Sequence, residues 1–446
     1  IHGLKIDAPV IEGTSALVNG SISYAALFGV TTKTAVIKNL VMAADNDFRF
    51  YAYGAPFVGA NNGLIENCLN YAPVLAFNGP VAGIAGLNNG TVRNCYNAAK
   101  ITSCSTYAGG IVGYNNPTGL IELCQNDGSV TAESIEGVNP VMLYNTFGGI
   151  AGSNYGTLNR SVNNGLVRAN NTVGGIAGVS NGYNGAGSMT GNINNGQVEA
   201  TASCLTRGAI AGELRSDAVL TANYYDNSVN VNGGANNNDN EGTVGMSTSE
   251  MVNATSLPGI DSDDVDFTAG TYPVLKNYKD QEATKALRAM YVNFEPKQRR
   301  TNVTKAATLS AAEGLVWSLD EDSKAFSLSG NTLNVTVPTD MTVGAGRLTA
   351  ALGDKYSKTY DLSSIPAILK GEGTADEPYL IETPKDWNSL ADFIESSNWE
   401  YPDNHFRIVN DLDFAGDSIR LIAVNGVNFQ AVLDGNGKTV KNYVYN

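Results

Sequence analysis

Acidic residues, histidines, cysteines and tyrosines are the side chains in this chain that could do chemistry, and their spacing limits what that chemistry is. Hydrolytic cleavage needs a carboxylate pair, or a base with a metal or cationic partner, gathered on one face. The two histidines, His2 and His405, stand far from the chain's middle. Between Gly54 and Val229 the acids Glu66, Glu122, Asp127, Glu199 and Asp217 are scattered singly, and Glu133 with Glu136 is the best pair available, which reads as a solvated loop. The run Asp261-Ser262-Asp263-Asp264-Val265-Asp266 invites calcium, but it lacks the glycine and distal glutamate of an EF-hand loop and reads as a solvated linker. Cys68, Cys95 and Cys124 share one phase of a repeat, so small buried fillers fit them better than metal ligands, which must converge from different elements. Cys104 and Cys204 lie in less regular stretches and read as loop thiols. No residue is assigned to catalysis, to a cofactor or to a metal. What remains is aromatic: Tyr107, Tyr114, Tyr144, Tyr155 and Tyr183 stand near loops as candidate binding residues, with Tyr51 and Tyr53 in the same class.

The elements that must position them are repeats. Gly83-Ile84-Ala85-Gly86 runs on to Asn94-Cys95, and Gly110-Ile111-Val112-Gly113 runs on to Cys124. Glycines 59, 86, 113, 152, 178 and 212 are spaced 27, 27, 39, 26 and 34 residues apart. Cys68, Cys95, Cys124, Ser161 and Asn192 are each followed two residues later by an asparagine: Asn70, Asn97, Asn126, Asn163 and Asn194. Six residues after the same starting points stand Val74, Ile101, Val130, Val167 and Val198. Five copies in register define a repeat protein.

Each unit holds three short period-2 stretches separated by Gly/Asn turns, with no helical periodicity. Three strands are too few for a propeller blade and fit one triangular coil of a right-handed parallel β-helix, with equivalent strands about 4.8 Å apart. Glycine supplies positive φ at the corners. The five asparagines then stack into an amide ladder, and the longer spacings place protruding loops at 131–145 and 180–191.

The phrase Gly-Gly-Ile-Ala-Gly-x-Asn-x-Gly-x-Val-x-Asn-Cys-x-Asn resembles the GLUG repeat of large bacterial cell-surface proteins, including adhesin-like proteins of the Bacteroides type. The stretch from Gly371 through Thr383 to Trp387–Ile394 looks like the entry module that precedes such repeats, and Asn410–Gly416 and Leu433–Val440 continue it. The resemblance implies an extracellular or surface-displayed scaffold and says little about activity.

In chain order, residues 1–53 are expected to be the first coils. A capping box, Ser247-Thr248-Ser249-Glu250, opens a short helix that, with Thr271–Leu275, is expected to cover the open last coil. The division reads as a β-helix with its cap over 1–279, an immunoglobulin-like β-sandwich spacer over 280–368, and the entry module of a second β-helix over 369–446. Five strands are expected in the spacer, around Val316, Ala325, Leu333, Arg347 and Lys358, with Trp317 in its core. Thr383 caps a helix whose stripe is Trp387, Leu390, Ala391 and Ile394, and Phe406–Val409 and Ile419–Ile422 are expected strands.

Charge bounds the partners. A net charge of −15 and a pI near 4.6 disfavour nucleic acid and anionic membrane surfaces, and short glycine-broken apolar runs disfavour membrane insertion. The resemblance, with no acidic or histidine site gathered for catalysis, implies a secreted or surface-displayed adhesin-like protein that is not an enzyme and binds a host or microbial surface protein or glycan. The alternative is a glycan-binding or glycan-cleaving β-helix. Ile1–Asp7 matches the continuation of the motif at Val440–Asn446, so one period of a longer array, a protomer that pairs head to tail with its copies, and a trimmed fragment are all open.

Overall fold

The computed structural model describes residues 1–7, 24–50, 53–104, 106–133, 145–182, 187–200, 206–215, 218–230, 233–238, 240–292, 305–320, 323, 326–335, 344–353, 356–364, 369–371, 373–395, 405–415, 420–422, 429 and 431–443. Its first compact unit comprises 1–296, 310–315 and 351–358, and the second comprises 297–309, 316–350 and 359–446.

The first unit is a parallel β-solenoid. One turn runs Val74–Ala76, Val81–Ala82, Ala85–Asn88, Thr91–Arg93 and Tyr96–Asn97 before Ile101–Ser103 begins the next. Among the described residues each segment pairs with its equivalents, giving five parallel sheets, four of seven strands and one of eight. The coil therefore has five strands and not three. Two breaks account for this: a bend at Gly83-Ile84 turns Ile84 fully into the core and parts Val81–Ala82 from Ala85–Asn88, and left-handed Asn94 parts Thr91–Arg93 from Tyr96–Asn97.

Inward side chains stack in columns. Ile65, Val92, Ile121, Leu158 and Met189 form one, and Val74, Ile101, Val130 and Val167 another, all buried. Burying one such side chain is worth about 1.5–3 kcal/mol, against about 0.5–1.5 kcal/mol net for one hydrogen bond. Apolar stacking therefore supplies most of the cohesion, and the amides supply register. The expected ladder is present: the amide nitrogens of Asn70, Asn97, Asn126 and Asn163 each donate to the next asparagine's oxygen at 2.8, 2.8, 2.8 and 2.9 Å. A second inward ladder joins Asn61, Asn88, Asn115 and Asn154 at 2.9, 2.8 and 2.8 Å.

Left-handed backbone occurs at a corner position that glycine hardly uses. Asn39, Asn67, Asn94, Leu123, Arg160, Gly191 and Ala222 occupy it, with φ between 48° and 68°. Asparagine tolerates this region because its short polar side chain bonds locally. The repeat glycines serve close approach instead: a Cβ on Gly90 would lie 2.1 Å from the Gly63 carbonyl oxygen.

Cys68, Cys95 and Cys124 point inward, fully buried and unpaired, and each thiol lies near a backbone carbonyl. The column continues as Ser161, Asn192 and Asn223, whose side-chain oxygens accept the backbone N–H of the residue one coil back at 3.0–3.2 Å. Cys95→Ser is accordingly expected to shift the denaturation midpoint by less than about 1 kcal/mol equivalent, because Ser161 already fills this environment with its hydroxyl bonded to Asn159 O. Cys104 is also buried, 3.3 Å from Phe77 O, and is not a loop thiol; it follows directly on the strand Ile101–Ser103. Cys204 lies outside the described residues.

The last coil is closed by a different segment from the one expected. Gly233 and Gly234 accept backbone hydrogen bonds from Ala209, Ile210 and Ala211, and Ala235 sits fully buried on the end of the core. Thr243–Met246 then adds the eighth strand to the sheet that carries the Asn70 ladder. The capping-box helix α1 (Thr248–Asn253) forms as expected, with Ser247 and Glu250 bonding each other's backbone. It begins a strap that returns along the outside of that sheet. The strap's contacts run back coil by coil: Tyr224 donates to Pro258 O, Asn195 to Pro273 O, and Tyr71 to Gln281. The cause is the outward column Leu69, Tyr96, Gln125, Val162, Ile193 and Tyr224, which is largely apolar and packs against Met251, Leu257, Val265, Tyr272 and Tyr278. The Asp261–Asp266 run belongs to this strap and is not a free linker: Asp264 pairs with Arg160 at 3.0 Å and Asp266 with Arg288 at 2.8 Å.

The second unit supplies strands to two small three-stranded sheets: Lys305–Thr308, Thr332–Val335 and Phe326–Ser329 in one, Leu315–Leu319, Gly344–Leu352 and Tyr356–Ser364 in the other. All five expected strands appear, and Lys305–Thr308 is an addition. Trp317 is buried against Tyr360. Further on, Tyr379–Ile381, His405–Ile408 and Val432–Asp434 pair in parallel, as do Leu412–Asp413 and Val440–Lys441. Thr383 and Asp386 cap the helix Pro384–Glu395, whose Leu390 and Ala391 are fully buried. Residues 420–422 do not form the expected strand, and 416–419 lie outside the described residues.

Candidate binding face

The acids weighed for catalysis are placed apart. Glu66 pairs with Arg93 at 2.6 Å, Glu122 with Arg160 at 2.9 Å, Glu199 with Arg168 at 2.5 Å and Glu133 with Lys100 at 2.7 Å, each on the solenoid's outside. Glu136 and Asp217 lie outside the described residues. His2 pairs with Asp45, and His405 opens a strand of the second unit.

Asp127 is the exception, a carboxylate buried beneath the strap. It accepts from Tyr96 Oη at 2.7 Å, Asn164 Nδ2 at 2.6 Å, Gln125 Nε2 at 3.1 Å and the Thr284 hydroxyl. Burial pushes its carboxyl above the ordinary range, and these four donors pull against that shift. All four are neutral and the group is sealed from solvent, so its work is to lock the strap onto the coils. Removing the acceptor orphans buried donors at about 1–3 kcal/mol each. Asp127→Ala is expected to free residues 272–288 to protease while the coil stack stays intact; equal resistance in variant and wild type would contradict the lock.

Three of the five candidate tyrosines come together. Tyr107 opens the strand Tyr107–Gly109, Tyr114 stands in Val112–Asn115, and Tyr155 follows Ala151–Asn154 one coil later. Tyr107 and Tyr114 meet edge to face at 5.4 Å, and Tyr114 and Tyr155 stack at 5.3 Å with 17° between planes. Such pairs add about 0.5–1.5 kcal/mol beyond their buried area, which holds each ring in one pose. All three are half-buried. Burial raises the phenols of Tyr107 and Tyr114, and at Tyr114 the hydrogen bond with Tyr155 adds to it, so both stay neutral donors at physiological pH. Tyr144 and Tyr183 lie outside the described residues.

Of the rest of the face, the sequence singled out Tyr53 and missed the others. Tyr53 stands in the column of Tyr107 two coils back and packs on Tyr24 at 5.4 Å. Arg215, bonded to Glu213 at 2.6 Å, stands in the column of Tyr155 two coils on, near enough for its charge to reach the Tyr155 and Tyr107 phenols. Asn89 donates to Asn62 at 3.0 Å and Asn116 to Asn89, an outward amide column whose next position is Tyr155. Glu213 and Arg215 come from a coil more than 50 residues downstream of Tyr155, and only the stacking register brings them close.

Among the described residues no group of three or more His, Cys, Asp or Glu side chains could hold a metal ion, and no helix is long and apolar enough to cross a membrane. Comparison of the chain with family models, with curated proteins and with solved structures gives no match.

Proposed function

We propose that this chain is an adhesin-like scaffold, secreted or displayed on a bacterial surface, and not an enzyme. The observation that carries the reading is the tyrosine face itself, mounted on coils keyed to one another by two internal amide ladders. A parallel coil stack holds side chains at fixed spacing across many residues, which suits presentation of a binding surface better than enclosure of a reaction. The GLUG-like phrase around Gly83–Asn97 supports the same reading, as does an acidic chain that disfavours nucleic acid. The spacer is read as an immunoglobulin-like module. Self-pairing through the coil edges at Lys5–Asp7 and Val440–Lys441 belongs to the proposal, and light scattering over a concentration series checks it: strictly monomeric particles remove it.

The test is adhesion. Beads coated with the whole chain are expected to bind bacterial or host cell surfaces above the level of beads coated with an unrelated acidic protein. Equal binding by the two would overturn the reading.

A further inference from the structure

We infer that the tyrosine face takes an uncharged polysaccharide, laid as an extended chain along the stack of coils. The inference rests on the scaffold reading and names the chemistry of its ligand. Four features of the face support it.

The first is the pairing of rings with amides. Sugar rings present apolar C–H faces and hydroxyl edges, and both need partners at once. Tyr114 and Tyr155 offer stacked aromatic surface with a hydroxyl at the rim, and Asn89 and Asn116 offer amides that can donate and accept. An apolar peptide would leave the amides unsatisfied, and a small polar ligand would leave the rings uncovered.

The second is openness. The groups lie on the outer surface of successive coils, on strands paired in register, and not around a cavity. Coils recur about every 4.8 Å, so the face extends along the axis in the direction a linear polymer would take. A polymer engages several weak contacts at once and gains by linkage what each lacks alone.

The third is charge. Arg215 is a cation whose charge reaches the rings, and Glu213 pairs with it at 2.6 Å. The chain as a whole carries −15, which repels a polyanion at low salt. A neutral polymer meets no such penalty.

The fourth is preorganisation. The rings are fixed by one another and by coils that cannot shift singly, so little side-chain freedom is lost on binding.

Affinity electrophoresis of the whole chain tests this, in native gels cast with hydroxyethylcellulose, galactomannan, arabinoxylan or dextran as neutral probes and polygalacturonate as the anionic one. At least one neutral polymer is expected to retard the chain. The double variant Tyr114→Ala/Tyr155→Ala should weaken that retardation about tenfold or more, while Tyr114→Phe/Tyr155→Phe, which keeps the rings, should retain most of it. Circular dichroism checks that both variants fold; if the alanine pair does not, the single variant Tyr155→Ala takes its place. Retardation by no neutral polymer, by polygalacturonate alone, or undiminished in the alanine variant overturns the inference. The bead assay separates the two ideas: alanine-variant beads that still adhere leave the scaffold standing without this ligand, and wild-type beads that fail to adhere remove the scaffold itself.

Discussion

Replacing Asn97 with leucine is expected to lower the stability of the solenoid by about 1–3 kcal/mol and to broaden its unfolding. Asn97 Nδ2 donates to Asn126 Oδ1 at 2.8 Å and to Ala99 O at 2.9 Å, and its Oδ1 accepts from Asn70 at 2.8 Å and from the Ala99 backbone at 3.3 Å. The site is fully buried, so no water replaces these partners. Leucine keeps the branched skeleton but is bulkier and cannot pair, and it leaves Asn126 Oδ1 without its donor from the preceding coil. Broadening follows because coils couple only to their neighbours: a weak coil in the middle divides one cooperative block into two. Urea titration followed by circular dichroism reads both effects. A transition as steep as wild type, at the same midpoint, would show that the ladder contributes nothing.

Gly90→Ala is expected to be at least as damaging. Its new Cβ would meet the Gly63 carbonyl oxygen at 2.1 Å and the Asn62 carbonyl carbon at 2.7 Å, and both are backbone atoms of the adjoining coil. That backbone cannot yield cheaply, because Thr91 N is bonded to the same Gly63 oxygen at 2.8 Å. Overpacking of side chains costs about 1–3 kcal/mol, and a backbone clash lies at or above the top of that range. Gly29→Ala is the control, since its Cβ would find only ordinary contact at 3.6 Å. Soluble yield and melting temperature should fall for Gly90→Ala and hold for Gly29→Ala. Equal behaviour of the two would contradict the close approach of coils.

Much of this was legible in the sequence because a solenoid writes each contact several times. The period, the inward Asn70–Asn194 column, the buried cysteine phase and the capping box at Ser247 all follow from residues recurring at fixed offsets. The second ladder was written equally plainly: Asn61, Asn88, Asn115 and Asn154 each stand two residues after a repeat glycine. So was the strap's docking surface. On a two-residue strand whose asparagine points inward, the preceding residue must point out, and there stand Leu69, Tyr96, Gln125, Val162 and Ile193, too apolar a column to face water. Sequence spacing was silent about the end cap, because Gly233–Asn238 carries no apolar pattern and closes the core through backbone bonds and the buried methyl of Ala235. It was also silent about the neighbours of the tyrosines. The pairing of Tyr114 with Tyr155 crosses 41 residues, because this repeat is lengthened to a glycine spacing of 39, so no regular offset links the two rings.

The central claim is that amide-keyed, nearest-neighbour coils hold the tyrosine face in place. Hydrogen–deuterium exchange of the Asn97→Leu chain, resolved by peptide, tests it most directly. The account predicts a graded loss of protection, largest in coils 68–130, which include the strand that bears Tyr114, and fading to wild-type protection by Val198–Asp226. Uniform loss over the whole solenoid, or unchanged protection around Asn70, Asn97 and Asn126, would contradict it.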